Sequence, residues 1–101
     1  VVGAPTDVGS LQDSYERGFA QIGEILERAG SSWDDVVEIT SYHTDVTAQM
    51  PAMIEVKRRF VKAPYPAWTA VEVSRLIPQR GITEIKVVAF LGGRNNKKSV
   101  P

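Results

Sequence analysis

Residues 87–91 are apolar at every position, although a strand with one face in water should alternate between apolar and polar side chains. The chain has 101 residues, a length typical of one domain, and it contains two segments with helical periodicity. Two helices cover only one face of a sheet. We therefore expect the second face of this strand to be buried against another copy of the chain, in a homo-oligomer.

The first helix is predicted over residues 11–29, because apolar side chains recur there at steps of three and four along one stripe. The stripe consists of Tyr15, Phe19, Ile22, Leu26 and Ala29. Ser10 or Ser14 can cap the start of this helix. Gly30 lies where a left-handed residue would end it.

The second helix is predicted over residues 49–61, with Pro51 in its first turn, and Pro64 and Pro66 prevent its continuation. The predicted strands are a stub at residues 1–3 and the segments 36–45, 67–75 and 82–91. The order is strand, helix, strand, helix, strand, strand. It predicts an α+β fold with both helices packed on one face of a small sheet.

Charge and composition exclude several classes of protein. The charges of twelve basic and twelve acidic residues cancel, so no overall field attracts nucleic acid. The second predicted helix has a basic cluster within residues 57–62, which we interpret as a solvated face. No apolar run reaches the ~18 residues of a membrane span. The sequence contains no cysteine, which excludes disulfides and fits a reducing compartment, so we expect a cytoplasmic protein.

The only histidine, His43, is the one candidate for proton transfer by an imidazole. Ser41 lies two residues away on the same strand face, where side chains run parallel rather than towards each other. We therefore predict a half-buried structural histidine. A single histidine without ligand spacing predicts no metal site, and the absence of a glycine-rich phosphate loop predicts no nucleotide cofactor.

The strand at residues 67–75 and the strand that follows it carry the remaining polar groups. Alternation is expected to turn Thr69, Val71 and Val73 towards the helices, and Trp68, Ala70 and Glu72 towards the opposite face. Glu84 and Lys86 share one phase of the last strand. We expect these two charges and the Trp68 indole to converge at the oligomer interface, as an interfacial salt bridge beside an anchoring tryptophan or as a ligand site.

Residues 1–91 resemble the Rid family, also called the YjgF or endoribonuclease L-PSP family. The blocks that carry the resemblance are Ile25-Leu26-Glu27-Arg28-Ala29-Gly30, Asp34-Asp35-Val36-Val37, Thr44-Asp45, Pro66-Ala67-Trp68-Thr69-Ala70-Val71-Glu72-Val73 and Glu84-Ile85-Lys86-Val87-Val88-Ala89. The resemblance implies one Rid-like domain, apparently without its first strand, with a chorismate-mutase-like fold of the ferredoxin-like split βαβ type. It further implies a homotrimer in which the sheets form a central barrel, with ligand clefts between subunits. Residues 92–101 are expected to be a flexible basic tail.

Family members with deaminase activity hydrolyse enamine or imine intermediates and hold the substrate carboxylate with an arginine directly after Pro-Ala. The resemblance makes Glu84 the candidate catalytic residue, which positions the hydrolytic water. Trp68 stands in place of the arginine, as in the YjgH-like subgroup. Because an indole has one N–H donor and no charge, we do not expect a standard 2-iminobutanoate deaminase.

These observations predict a protein that binds a small metabolite between subunits, with a neutral or cationic ring-like ligand favoured. Whether it also hydrolyses an enamine-like or imine-like substrate stays open. The predicted ligand-binding residues are Trp68, Tyr65, Thr69, Ala70 and Gly3. A non-enzymatic binding or regulatory protein is the alternative, and an endoribonuclease ranks last. The expected partners are a small molecule and two further copies of the chain, with neither a membrane nor nucleic acid.

Overall fold

The computed structural model describes residues 1–4, 10–77 and 80–91. Its elements are β1 (Val2–Gly3), α1 (Leu11–Arg28), a 3-10 turn (Trp33–Asp35), β2 (Val36–His43), α2 (Val46–Phe60), β3 (Ala67–Glu72) and β4 (Gly81–Ala89). The strands form one sheet in the order β1-β4-β2-β3, in which β2 and β3 are parallel and the other neighbours are antiparallel. The predicted order of elements and the α+β class are confirmed. The predicted basic tail, residues 92–101, lies outside the described residues.

Both ends of α1 follow from local residue chemistry. The Oγ of Ser10 accepts a hydrogen bond from the backbone N–H of Asp13, and the Asp13 carboxylate accepts one from the N–H of Ser10. This reciprocal pair satisfies two N–H groups that the first turn leaves without partners. At the other end Gly30 has a φ of +84°, a conformation that glycine adopts without strain.

The second helix begins three residues earlier than predicted. The Asp45 carboxylate accepts the N–H of Ala48 at 3.2 Å, and the Glu72 carboxylate on β3 accepts the N–H of Val46 at 2.9 Å. These two bonds start the helix at Val46, so β2 ends at His43 rather than at Asp45. Pro51 consequently lies inside the helix and not in its first turn, which corrects the prediction.

The core lies between one face of the sheet and the two helices. Its fully or nearly buried apolar residues are Val2, Tyr15, Phe19, Leu26, Val36, Ile39, Ala52, Met53, Val56 and Val61. The rings of Phe19, Trp33 and Phe60 form one cluster, with the Phe19 centroid 5.2 Å from Trp33 and 5.6 Å from Phe60, and those two 6.4 Å apart. No helix in the described ranges is long and apolar enough to cross a bilayer.

The register of β3 against β2 corrects the predicted orientation of β3. Ile39 pairs with Trp68, and Ser41 pairs with Ala70. Residues directly opposite each other in a sheet share a face, and both β2 residues are fully buried beneath the helices. Trp68 and Ala70 therefore lie on the helix face, while Thr69 lies on the open face, which is the sheet face away from α1 and α2.

Candidate functional site

The open face carries the charged pair that the sequence predicted on β4. Glu84 pairs with Tyr42 of β2, and Lys86 pairs with Thr40, so all four side chains lie on this face. Beyond the end of β3 the face becomes concave, with a cavity of about 370 Å³. Its lining residues are Tyr42, Val73, Arg75, Leu76, Glu84 and Lys86. We call this cavity the Glu84 site.

The charges of the Glu84 site have no partners within the described part of the chain. All ion pairs among the described residues are formed by side chains outside this site. No hydrogen bond joins Arg75, Glu84 or Lys86 to a described side chain. Two cations and one carboxylate give the lining a formal charge of plus one. Tyr42 adds a phenol, which can donate or accept a hydrogen bond. These groups are available to a ligand.

The structure separates the other predicted site residues from Glu84. Trp68 and Ala70 lie on the helix face, and Tyr65 lies in the loop before β3 with 71% of its surface exposed. Gly3 belongs to β1, at the opposite edge of the sheet from β3. The expectation that Trp68 and Glu84 converge on one face is therefore wrong for a single chain. Thr69 shares the open face with Glu84.

Trp68 has contacts on the helix face that hold its ring in place. Its Nε1 donates a hydrogen bond to the Oγ of Ser41 at 2.9 Å. The Nζ of Lys57 on α2 lies 4.7 Å from the ring centroid, within the range of a cation–π interaction. Burial lowers the pKa of Lys57 from its ordinary value. The single indole donor is thus used inside the protein.

His43 is fully buried and forms the centre of a hydrogen-bond network. Its Nε2 lies 2.8 Å from the Oγ of Ser41, and its Nδ1 lies 3.2 Å from both Oγ1 of Thr83 and the side-chain amide of Gln49. The Tyr15 hydroxyl lies 2.6 Å from Oγ1 of Thr83. Burial lowers the pKa of His43 below its ordinary value of 6.5, which favours the neutral ring.

Two details of the His43 prediction are corrected. The ring is fully buried rather than half-buried, and Ser41 and His43 hydrogen-bond directly instead of running parallel. Residues two apart on a strand share a face, and here both are enclosed by the helices, where each polar atom needs a partner. Since both side chains have no exposed surface, a substrate has no access to this Ser–His pair.

The basic side of α2 has internal partners. Arg58 binds Glu55 at 2.7 Å, and Arg59 binds Glu16 of α1 at 3.1 Å. These exposed pairs support the interpretation of this cluster as a solvated face. Among the described residues, no three His, Asp or Glu side chains are grouped in a way that could hold a metal ion.

Sequence reasoning missed Tyr42, Val73, Arg75 and Leu76 as members of the Glu84 site, and it wrongly turned Val73 towards the helices. Tyr42 alternates with the buried Ser41 and His43 along β2, and this alternation indicates that Tyr42 lies on the open face. Only the strand register places it beside Glu84. Arg75 and Leu76 follow β3, and no periodic signal fixes their position.

A four-stranded mixed sheet with two helices on one face places the chain among the small α+β proteins. Within that class the chain belongs to the Endoribonuclease L-PSP family, because residues 3–91 match the family of that description. This is the Rid family that the sequence blocks predicted.

Two curated relatives illustrate the range of this family. RutC family protein YjgH of Escherichia coli (strain K12) is 39% identical over 81 residues, which are 78% of this chain and 60% of that protein. A 2-iminobutanoate/2-iminopropanoate deaminase of Capra hircus is 30% identical over 84 residues, which are 83% of this chain and 60% of that protein. The chain thus spans less than two thirds of the length of either relative.

Solved structures support the same fold. The chain matches protein YJGH with a TM-score of 0.74 at 33% identity, covering 91% of this chain and 68% of that chain. It matches RidA from the Antarctic bacterium Psychrobacter sp. PAMC 21119 with a TM-score of 0.73 at 34% identity, covering 79% of this chain and 63% of that chain.

Proposed function

We propose that this chain binds a small ring-bearing metabolite at the Glu84 site, in a cleft between subunits of a homotrimer, and hydrolyses a C=N bond there. The observation that carries the proposal is a Glu84 carboxylate without an ion-pair partner among the described residues, in a concave site lined by Tyr42, Val73 and Leu76. A small number of polar groups in a partly apolar cavity is typical of small-molecule sites. The 2-iminobutanoate deaminases among the relatives support the reaction class.

The proposed reaction needs one base and one acid. The Glu84 carboxylate takes a proton from water, whose oxygen attacks the imine carbon while the nitrogen is protonated. The Glu84 carboxyl then returns its proton to the nitrogen as the C–N bond breaks, and the hydroxyl formed from the water gives its proton to the group that first protonated the nitrogen, which leaves a carbonyl compound and an amine. Tyr42, opposite Glu84 in the strand register, is the neighbouring O–H that can donate to the nitrogen.

The open face supports the trimer in this proposal. Val71 and Val88 lie on it and are 38% and 43% exposed, although both are apolar β-branched residues. Gly3 and Thr69 lie on opposite edges of the sheet, so a site that uses both would need two chains. Burial against further copies would cover the valines and bring the two edges of different subunits together.

We expect sedimentation equilibrium at micromolar concentration to give three times the 11.1 kDa chain mass. Val88→Lys should shift the mass towards the monomer, because it places a charge in the proposed interface. Glu27→Lys, at an exposed position of α1, is the matched control and should leave the mass unchanged. A monomer mass for the unaltered chain would contradict the trimer.

We expect 2-iminobutanoate to be hydrolysed no faster than in buffer, since this small acid has no ring and fills little of the apolar lining. N-benzylidenemethylamine, a neutral imine with a ring, should instead be hydrolysed to benzaldehyde and methylamine at least tenfold faster than in buffer. Benzaldehyde absorbance measures the rate. Glu84→Gln should lower the enzymatic rate by about 100-fold or more, as expected for loss of a general base.

Glu27→Gln is the matched control for this assay, and it should leave the rate unchanged. Rapid 2-iminobutanoate hydrolysis that Glu84→Gln abolishes would contradict the distinction from the deaminases. Binding of ring compounds without any turnover would favour the second candidate, a non-enzymatic binding protein. This candidate is also favoured by the structure of the site, because no described group holds Glu84 in one orientation. An endoribonuclease has little support, because His43 is inaccessible.

A further inference from the structure

We propose that His43 and Thr83 are positioning residues for the Glu84 site, because the hydrogen bond between their side chains keeps Tyr42 opposite Glu84. The proposal rests on the proposed function, in which Glu84 is the base and Tyr42 the O–H donor. His43 and Thr83 lie opposite each other in β2 and β4, one position along from the pair of Tyr42 and Glu84. The two pairs therefore lie on opposite faces of the same two strands.

The place of Glu84 relative to Tyr42 depends on the backbone of these two strands. No hydrogen bond or ion pair joins the Glu84 carboxylate to a described side chain, so side-chain contacts do not fix its position. A slip of one residue between β2 and β4 would turn Glu84 towards the helices. An acid and a base must both reach the reacting atoms within hydrogen-bond distance, so the proposed reaction depends on this register.

The pair of His43 and Thr83 is the last pair between β2 and β4. β2 ends at His43, and β4 begins close by at Gly81. The ends of paired strands open at a lower free energy than their centres. Opening of this end would separate the neighbouring pair, Tyr42 and Glu84. A hydrogen bond between side chains across the last pair opposes that opening.

The bond across the last pair is enclosed in the protein. Oγ1 of Thr83 lies 3.2 Å from Nδ1 of His43, and both residues have no exposed surface. The Tyr15 hydroxyl on α1 lies 2.6 Å from the same Oγ1 and holds it from the helix side. A buried polar atom that loses its partner costs more free energy than an exposed one. The paired arrangement of the two strands is therefore strongly favoured at this end.

The backbone around His43 extends this support to the wall of the cavity. The carbonyl oxygen of His43 accepts the N–H of Val73 at 2.8 Å, and Val73 lines the Glu84 site. The next residue, Thr44, donates its N–H to the carbonyl oxygen of Ile82 at 3.0 Å. His43 thus lies where the end of β2 joins both β4 and the segment after β3. The amides of Thr44 and Val73 report whether this junction is closed.

Thr83→Val and Thr83→Ser form a matched pair of variants. Valine keeps the branched shape of threonine without its hydroxyl, whereas serine keeps the hydroxyl. Thr83→Val should lower kcat for N-benzylidenemethylamine at least tenfold with KM changed less than twofold, because the cavity lining is retained and only the alignment of acid and base is lost. Thr83→Ser should keep kcat within threefold. His43→Gln removes the same bond from β2 and should reproduce the loss, which keeps the test decisive should Thr83→Val not fold.

Hydrogen exchange followed by NMR measures the junction without any substrate. In Thr83→Val, the Thr44 and Val73 amides should exchange at least tenfold faster relative to the amides of α1, which report general destabilisation. Ser41→Ala is the control, since it removes a buried hydroxyl bonded to His43 but leaves the bond between His43 and Thr83. It should lower stability, keep kcat within twofold and leave the relative exchange of both amides unchanged.

The outcomes separate this proposal from the proposed function. Either an unchanged kcat or an unchanged Thr44 exchange in Thr83→Val would overturn the positioning role. A loss of kcat in Ser41→Ala as large as in Thr83→Val would also overturn it, because activity would then follow stability alone. If the unaltered chain hydrolyses no imine, the proposed function is wrong. The exchange of Thr44 then decides alone, since faster exchange in Thr83→Val supports the role of the bond in holding the two strands and unchanged exchange refutes it.

Discussion

Trp68→Ala is expected to lower the free energy of unfolding by about 3 kcal/mol, near the lower end of the range for deletion of large aromatic side chains. The ring is half-buried against the core, donates to Ser41 and lies beneath Lys57. Removing it leaves a gap beside the helices and removes one of the two hydrogen bonds of the Ser41 hydroxyl, which keeps His43 as its partner. Urea unfolding followed by circular dichroism measures the loss, and fluorescence of Trp33 gives an independent signal.

Trp68→Phe is the matched control, because it retains an aromatic ring and removes the N–H donor. Its expected cost is about 1 kcal/mol, the usual net contribution of one hydrogen bond. If Trp68→Ala unfolds at the same urea concentration as the unaltered chain but no longer binds ring compounds, Trp68 is a ligand wall and not part of the framework. If both properties are unchanged, neither role is correct.

The helices could be predicted from the sequence because their signals are local. Five apolar residues at helical spacing and the Ser10 and Gly30 caps lie within about twenty positions of one another. The start of α2 was harder to predict, because one of its two capping hydrogen bonds comes from Glu72, 26 residues after Val46 in the chain. The shared face of Glu84 and Lys86 could also be predicted, since the positions that alternate with them in the second half of β4 are all apolar.

The orientation of β3 could not be predicted from its own residues. The phase of Thr69 and Val71 is more apolar than that of Ala70 and Glu72, yet it lies on the open face of an edge strand that is largely exposed, because Glu72 lies on the helix side and caps α2. Its register with β2 determines which phase faces the helices. The error about Trp68 and the omission of Arg75 have this same origin, because both depend on where β3 ends and which way it faces.

The His43 network was hidden for a related reason. Tyr15, His43, Gln49 and Thr83 come from four different elements, and the Tyr15–Thr83 bond joins residues 68 positions apart. No spacing rule connects such residues. Burial of a polar side chain requires partners, but the sequence does not say which residues supply them.

We expect the free energy of unfolding to fall as the pH decreases from 7.5 to 5.5. Burial lowers the pKa of His43 below 6.5 in the folded chain, so below that pH the unfolded chain takes up a proton that the folded chain does not. The stability associated with the neutral ring is complete above pH 6.5 and is lost as the pH falls below it. The slope can reach about 1.4 kcal/mol per pH unit for one proton. Urea unfolding at intervals of half a pH unit measures it.

His43→Gln tests whether this slope comes from the histidine. His43 is the only histidine in the chain, and no other side-chain type has an ordinary pKa between 5 and 8. The variant should be less stable at pH 7.5, because Ser41 and Thr83 lose their shared partner, but its stability should change little between pH 7.5 and 5.5. A similar slope in both proteins would assign the acid sensitivity to carboxylates. A flat profile in the unaltered chain would mean that the folded protein accommodates a charged ring, which a fully buried imidazole without a carboxylate partner in the described network should not allow.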